Sequence, residues 1–258
     1  MHVKTNKRRW LFFLLPFLVL ALVSAGQVLT ILYEARVQQQ AFSRLAHEYA
    51  QPPAAAGSAA PADSGSAMLP QFRALYARNS DIGGWIKIEG TALDYPVMYT
   101  PDEPQKYLHR AFDGSDSACG VPFVGAGCTL SPRSENVILY SHHMKDGTMF
   151  APLVHYAQKS YWEKHPAVTF STLYETHRYA VFAAFETDLE DAQALRCYTL
   201  LQAADEADFD RFIAGLRAAT PYDTGVAVHY GDPLLTLSTC AYHTENGRFV
   251  VVAVQLPD

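Results

Sequence analysis

Leu234-Leu235-Thr236-Leu237-Ser238-Thr239-Cys240, followed after a seven-residue loop by Arg248 and the apolar run Phe249–Leu256, is the stretch from which the architecture is read. At a period of two, Leu235, Leu237 and Thr239 share one face of a strand, and Thr236, Ser238 and Cys240 share the other. Cys240 therefore falls at a strand end, on the more polar face. An Asn246-Gly247 turn signal closes the loop, and Arg248 opens the next strand. If the two strands are antiparallel neighbours, Arg248 returns beside Cys240. A guanidinium there favours a thiolate and can donate to an oxyanion. A cysteine in a strand is by default a small buried apolar residue. An arginine at a strand start is by default a solvated edge.

Outward from this pair lie further short apolar runs: Trp85–Ile88, Leu93–Tyr99, Val121–Val124, Asn136–Ser141, Ala167–Leu173 and Arg178–Glu186. Gly, Pro, Asn and Asp punctuate them, the pattern of a barrel or sandwich. Ala167–Glu186 reads as a hairpin with its turn near Glu175-Thr176-His177. A short helical pattern covers Leu69–Asn79. A second helix carries Phe209, Phe212, Ile213 and Leu216 at 3–4 spacing, with Asp205 or Asp208 as its cap.

Asn136–Ser141 ends in His142-His143, at the mouth of the loop Met144–Met149. A thiol nucleophile needs an acid for its leaving group, and histidine titrates nearest neutrality. Adjacent histidines on a strand point to opposite faces, so they do not readily chelate one ion. His142, His143 and His243 each remain open as the acid/base at this level. The four cysteines (119, 128, 197 and 240) make no CxxC pair, which argues against structural zinc. No metal and no cofactor is expected.

The N-terminus sets the compartment. Lys4, Lys7, Arg8 and Arg9 precede an apolar run from Trp10 to Tyr33. Its 24 positions would span about 36 Å as helix, enough for a hydrocarbon core of about 30 Å. The basic flank should stay cytoplasmic, leaving the remainder extracellular. Val23-Ser24-Ala25 resembles a cleavage site, but the apolar run continues past it, so a retained signal anchor is expected. Residues 34–50 have helical composition, and 51–67 are Pro, Ala, Gly and Ser with almost no bulky side chain, a tether rather than a fold. The catalytic domain is expected over 68–258. A net charge of −6, without a basic run beyond the N-terminus, gives no support to nucleic acid as a partner. Cys119 and Cys128 lie nine residues apart in a Gly-rich loop, either as a disulfide or as two thiols. Cys197 reads as core.

Together these segments resemble sortases, and class B in particular. The resemblance rests on Thr236-Leu237-Ser238-Thr239-Cys240 with Arg248, and on Tyr140–Phe150 (YSHHMKDGTMF). It rests also on Asn79–Ile88 (NSDIGGWIKI), Leu93-Asp94-Tyr95-Pro96-Val97 and Tyr107-Leu108-His109. It covers nearly all of 69–256. It implies a closed eight-stranded β-barrel with an N-terminal helix and an added helix before the active-site strand. It implies cysteine transpeptidation: Cys240 attacks the Thr carbonyl of a C-terminal sorting motif on a secreted protein. The Asn-Pro-x-Thr type is the hint from class B. An amine of a cell-wall precursor, or of a pilin lysine, then releases the thioacyl chain. By the same resemblance His142 is the general acid/base, Arg248 holds the carbonyl and its oxyanion, and Ser238 and Thr239 neighbour the substrate. Ser141 departs from the family, which usually has glycine there. The rival classes are a non-catalytic surface peptide-binding module and a secreted cysteine protease.

Overall fold

The computed structural model describes residues 7–51, 67–188, 201–240 and 247–257, with the backbone alone for 7–15 and Cys240. Cys197 and His243 lie outside the described residues. The chain divides into two units, with the boundary between Arg44 and Leu45.

In the first unit one helix dominates. α1 (Lys7–Ala50) begins there, carries Pro16 within it, and runs on into the second unit. From Pro16 onward it is long and apolar enough to cross a membrane. Its apolar side chains lie open, with Phe17 70% exposed and Leu20 62% exposed.

The second unit is a closed barrel in the order β1-β2-β3-β4-β7-β8-β6-β5. Its strands are β1 (Ile82–Lys87), β2 (Asp94–Met98), β3 (Phe123–Val124), β4 (Asn136–Tyr140), β5 (Ala167–Thr172), β6 (Thr176–Asp188), β7 (Leu234–Cys240) and β8 (Gly247–Gln255). The eight sequence runs each become one strand. The β5–β6 turn falls at Leu173-Tyr174-Glu175, earlier than expected, because Thr176 already pairs with Ser171. β3 keeps only two of the four residues expected, since Val121 instead donates its N–H to the Tyr107 carbonyl.

β7 is the wall strand between β4, which it pairs in parallel, and β8, which it pairs antiparallel. A parallel pair needs a crossover, and the chain between β4 and β7 supplies it with β5, β6 and α4 (Glu206–Ala219). Asp205 caps α4, accepting from the Asp208 N–H at 2.8 Å. Phe209, Ile213 and Leu216 of α4 bury against Phe182, Leu234, Val250, Val252 and Val254. Leu235 and Leu237 then fill the opposite, interior face with Val251 and Ala253. This covering of both faces explains why β8 reads as nearly uninterrupted valine. Each large apolar side chain so buried contributes about 1.5–3 kcal/mol.

The last turn of α1 packs on this unit, ahead of the boundary drawn at residue 68. Tyr49 stacks on Trp85 with ring centroids 4.3 Å apart and planes within 7°. Its hydroxyl donates to Ser171 Oγ, Leu45 is buried, and Glu48 pairs with Arg78 of α2 (Pro70–Arg78). Cys119 and Cys128 are free thiols, each buried in its own setting. Cys119 Sγ sits 3.3 Å from Ser117 Oγ, and Cys128 Sγ accepts from the Ile138 N–H. Of the two readings left open for them, the structure has the thiols.

Candidate active site

Backbone register brings three sequence-distant residues to one end of the barrel. On β8, Arg248 lies directly opposite Cys240 of β7. On the other side, Tyr140 of β4 is aligned with Ser238, and the alignment continues past the strand end. The Ser141 N–H donates to the Ser238 carbonyl at 3.3 Å, and the Thr239 hydroxyl donates to the Ser141 carbonyl at 2.9 Å. Two residues on from Tyr140 is His142, and two on from Ser238 is Cys240. His142 and Cys240 thus each lie two residues beyond the last β4–β7 pair, with Arg248 opposite Cys240 on β8.

The His142 end is shaped by a tight loop. Phe150 N–H returns to the His142 carbonyl at 3.0 Å, and His143 bridges to Met149. Met149 takes a positive φ of 58°, and its N–H is held by the Tyr95 hydroxyl at 3.1 Å. Asp146 Oδ1 accepts from both the N–H and the hydroxyl of Thr148.

The imidazole of His142 is partly buried, and its Nε2 lies 2.8 Å from the Leu108 carbonyl. A carbonyl only accepts, so Nε2 carries the proton and Nδ1 is the nitrogen left to gain or lose one. Burial pushes the His142 pKa below the ordinary histidine range. The Leu108 carbonyl works against that shift and the neighbouring His109 adds to it. The His109 and His142 rings are 5.3 Å apart at a tilt of 33°.

Leu108 and His109 belong to the 3-10 turn Lys106–His109, which is pinned by polar side chains. The Tyr107 hydroxyl donates to Asp81 at 2.8 Å, and Lys106 pairs with Asp81 at 2.7 Å. Asn79 donates to the Tyr107 hydroxyl and the Phe112 carbonyl. Burial raises the Asp81 pKa, but the bonds from Lys106 and Tyr107 outweigh it and hold the carboxyl below its usual range. Gly120 (φ 57°) passes so close that a Cβ there would press on the carbonyls of Leu108 and Tyr107.

Ser238 and Thr239 are buried, and the Thr239 hydroxyl is committed to the Ser141 carbonyl. Ser141, standing where the resemblance leads one to expect glycine, keeps its Oγ buried with no hydrogen-bond partner among the described residues. Among the described residues no group of three His, Cys, Asp or Glu could hold a metal ion. Sequence reasoning missed the Leu108 carbonyl, which as backbone leaves no residue signature. It also gave no role to His109, although that residue lies in a motif already singled out.

An eight-stranded closed barrel with these residues at one rim has clear counterparts. The sortase domain family matches residues 86–256. Sortase B of Staphylococcus aureus (strain NCTC 8325 / PS 47) is 34% identical over 186 residues, 71% of this chain and 74% of that protein. Sortase B of Listeria monocytogenes serovar 1/2a is 30% identical over 183 residues, 70% of this chain and 72% of that protein. A structure of a Staphylococcus aureus sortase B–substrate complex superposes with a TM-score of 0.74 at 29% identity, covering 87% of this chain and 98% of that one. The chain belongs to the sortase family of cysteine transpeptidases, and its relatives place it with the sortase B group.

Proposed function

We propose that Cys240 is the nucleophile, His142 the general acid/base and Arg248 the oxyanion ligand of a sortase B-like reaction on a C-terminal sorting signal. The observation that carries this is the strand register: Cys240 opposite Arg248, with His142 two residues past the Tyr140–Ser238 pair. The Cys240 thiolate adds to the Thr carbonyl of the sorting motif, and the oxyanion is met by the Arg248 guanidinium. Protonated His142 gives its Nδ1 proton to the leaving amine as the C–N bond breaks, which leaves a thioester on Cys240. An amine of the cell-wall precursor then attacks the thioester. His142 takes up the amine's proton, and formation of the new amide expels the Cys240 thiolate. Ser238 and Thr239 precede Cys240 on the same strand. Their burial favours holding that strand in place over touching the peptide.

The substrate class follows from the relatives, one of which is captured with a substrate. Residues 10–33 act as a single-pass anchor with the N-terminus in the cytoplasm and the barrel outside. This reading rests on a helix that is continuous from Lys7 and exposes apolar side chains from Phe17 to Tyr33. The tether 51–67 then links anchor and stalk to the catalytic domain 68–258. The decisive experiment incubates the protein with a panel of sorting-motif peptides and weighs it intact. A mass increase equal to the peptide's N-terminal fragment is expected, absent in Cys240→Ala. Turnover by Cys240→Ala would refute the assignment. Added amine should divert product from acid to amide, which a protease would not do.

A further inference from the structure

We propose that His109 is a positioning residue that sets the protonation state of His142 through ring contact, coupling the two imidazoles into one titrating pair. The inference rests on the reading of His142 as acid/base. Three observations converge on it. The rings are 5.3 Å apart and tilted by 33°. The carbonyl that holds His142 Nε2 belongs to Leu108, the residue before His109, so one 3-10 turn fixes both the tautomer and the neighbour. His142 is partly buried while His109 is exposed, so a proton on the outer ring is well solvated while its charge still reaches the inner one.

The other charged or titratable groups around the pair are engaged or set apart by the fold. Lys106, on the same turn, is tied to Asp81, and Arg110 donates to the Gly114 carbonyl. On the loop after His142, His143 bridges to Met149 and Asp146 caps Thr148, with Lys145 exposed between them. Cys240 and Arg248 lie across β7 and β8. Among the described residues, His109 is the ionisable side chain in ring contact with His142. Two positive charges at this separation oppose each other, so a proton on His109 disfavours one on Nδ1 of His142. The lowered His142 pKa has the sign this coupling requires.

The coupling is tested on the full chain in detergent micelles, with ring-labelled histidine followed by NMR from pH 5 to 9. His142 is assigned by its loss in His142→Gln. Two variants separate charge from packing: His109→Phe keeps a ring and removes the charge, and His109→Gln removes both. In both, the His142 midpoint should move up, towards the ordinary histidine range. The limb of the pH–rate profile for acyl-enzyme formation that reports His142 should move with it by the same amount. An unmoved His142 midpoint in His109→Phe overturns the coupling. A His142→Gln protein with full transpeptidation overturns the acid/base reading instead, a result separable because the titration is read without turnover.

Discussion

The two sides of Cys240 are held by different devices. On one side the β7–β8 ladder runs unbroken from Leu234↔Val254 to Cys240↔Arg248, with α4 packed over it. On the other, His142 lies beyond the end of β4 and depends on a 3-10 turn fixed by Asn79, Asp81 and Lys106. The ladder sets position by repetition, so any one contact is backed by its neighbours. The turn sets position by a small set of polar side chains together with the backbone bonds from Ser117 and Val121, with no repeating ladder behind them. Arg248 is therefore placed by the fold, and His142 by its surroundings.

Three substitutions and one titration test that contrast. Arg248→Ala removes the guanidinium without disturbing the ladder, and kcat should fall about 10²–10³-fold with Tm nearly unchanged. A large loss of Tm would mean that the side chain serves the barrel instead. Gly120→Ala acts on the turn, forcing a residue with a side chain to a positive φ and against the Leu108 carbonyl. It should cost about 2 kcal/mol in urea unfolding and weaken the Nε2 bond of His142. Retained stability would show that the turn yields more easily than its contacts imply. Thr239→Val removes one of the two bonds that join these strand ends, the other being Ser141 N–H to the Ser238 carbonyl, for about 1 kcal/mol. Its slower acylation should appear without a change in thiol labelling.

The smallest effect is the pH dependence of folding. His142 binds a proton less tightly in the folded chain than in the unfolded one. Its contribution is therefore complete above about pH 6.5, the unfolded histidine value, and is lost as pH falls through the lower folded value. Between pH 8 and 5, Tm should fall more in the wild type than in His142→Gln. Equal slopes would place the imidazole in bulk-like solvent.

The same contrast explains what could be read from the chain. The strands were legible because alternation and apolar runs are local, and each was located to within a few residues. The Cys240–Arg248 pairing followed from a turn signal and two neighbouring strands. The irregular parts were not legible. The 3-10 turn Ala151–Ala157 and the short helix α3 (Lys159–Lys164) carry no helical period of apolar residues. They are held instead by long-range bonds such as Trp162 Nε1 to the Val181 carbonyl and Tyr222 Oη to the Tyr156 carbonyl. The Tyr222 hydroxyl, its pKa pushed up to about 12 by burial, stays a donor there at any physiological pH. Likewise, the Leu108 carbonyl that holds the His142 ring is a backbone group, and no residue pattern announces it.

The indole of Trp85, stacked on Tyr49 and donating to Asp94 at 2.6 Å, gives the protein a built-in optical gauge. The chain has three tryptophans, Trp10 near its start, Trp85, and Trp162 on α3. With Trp10 and Trp162 replaced by phenylalanine, emission would report one event: whether the last turn of α1 is seated on the barrel. A red shift at low denaturant, with far-ultraviolet dichroism nearly unchanged, would register unseating while the barrel stays folded, so this contact's stability could be read apart from that of the barrel.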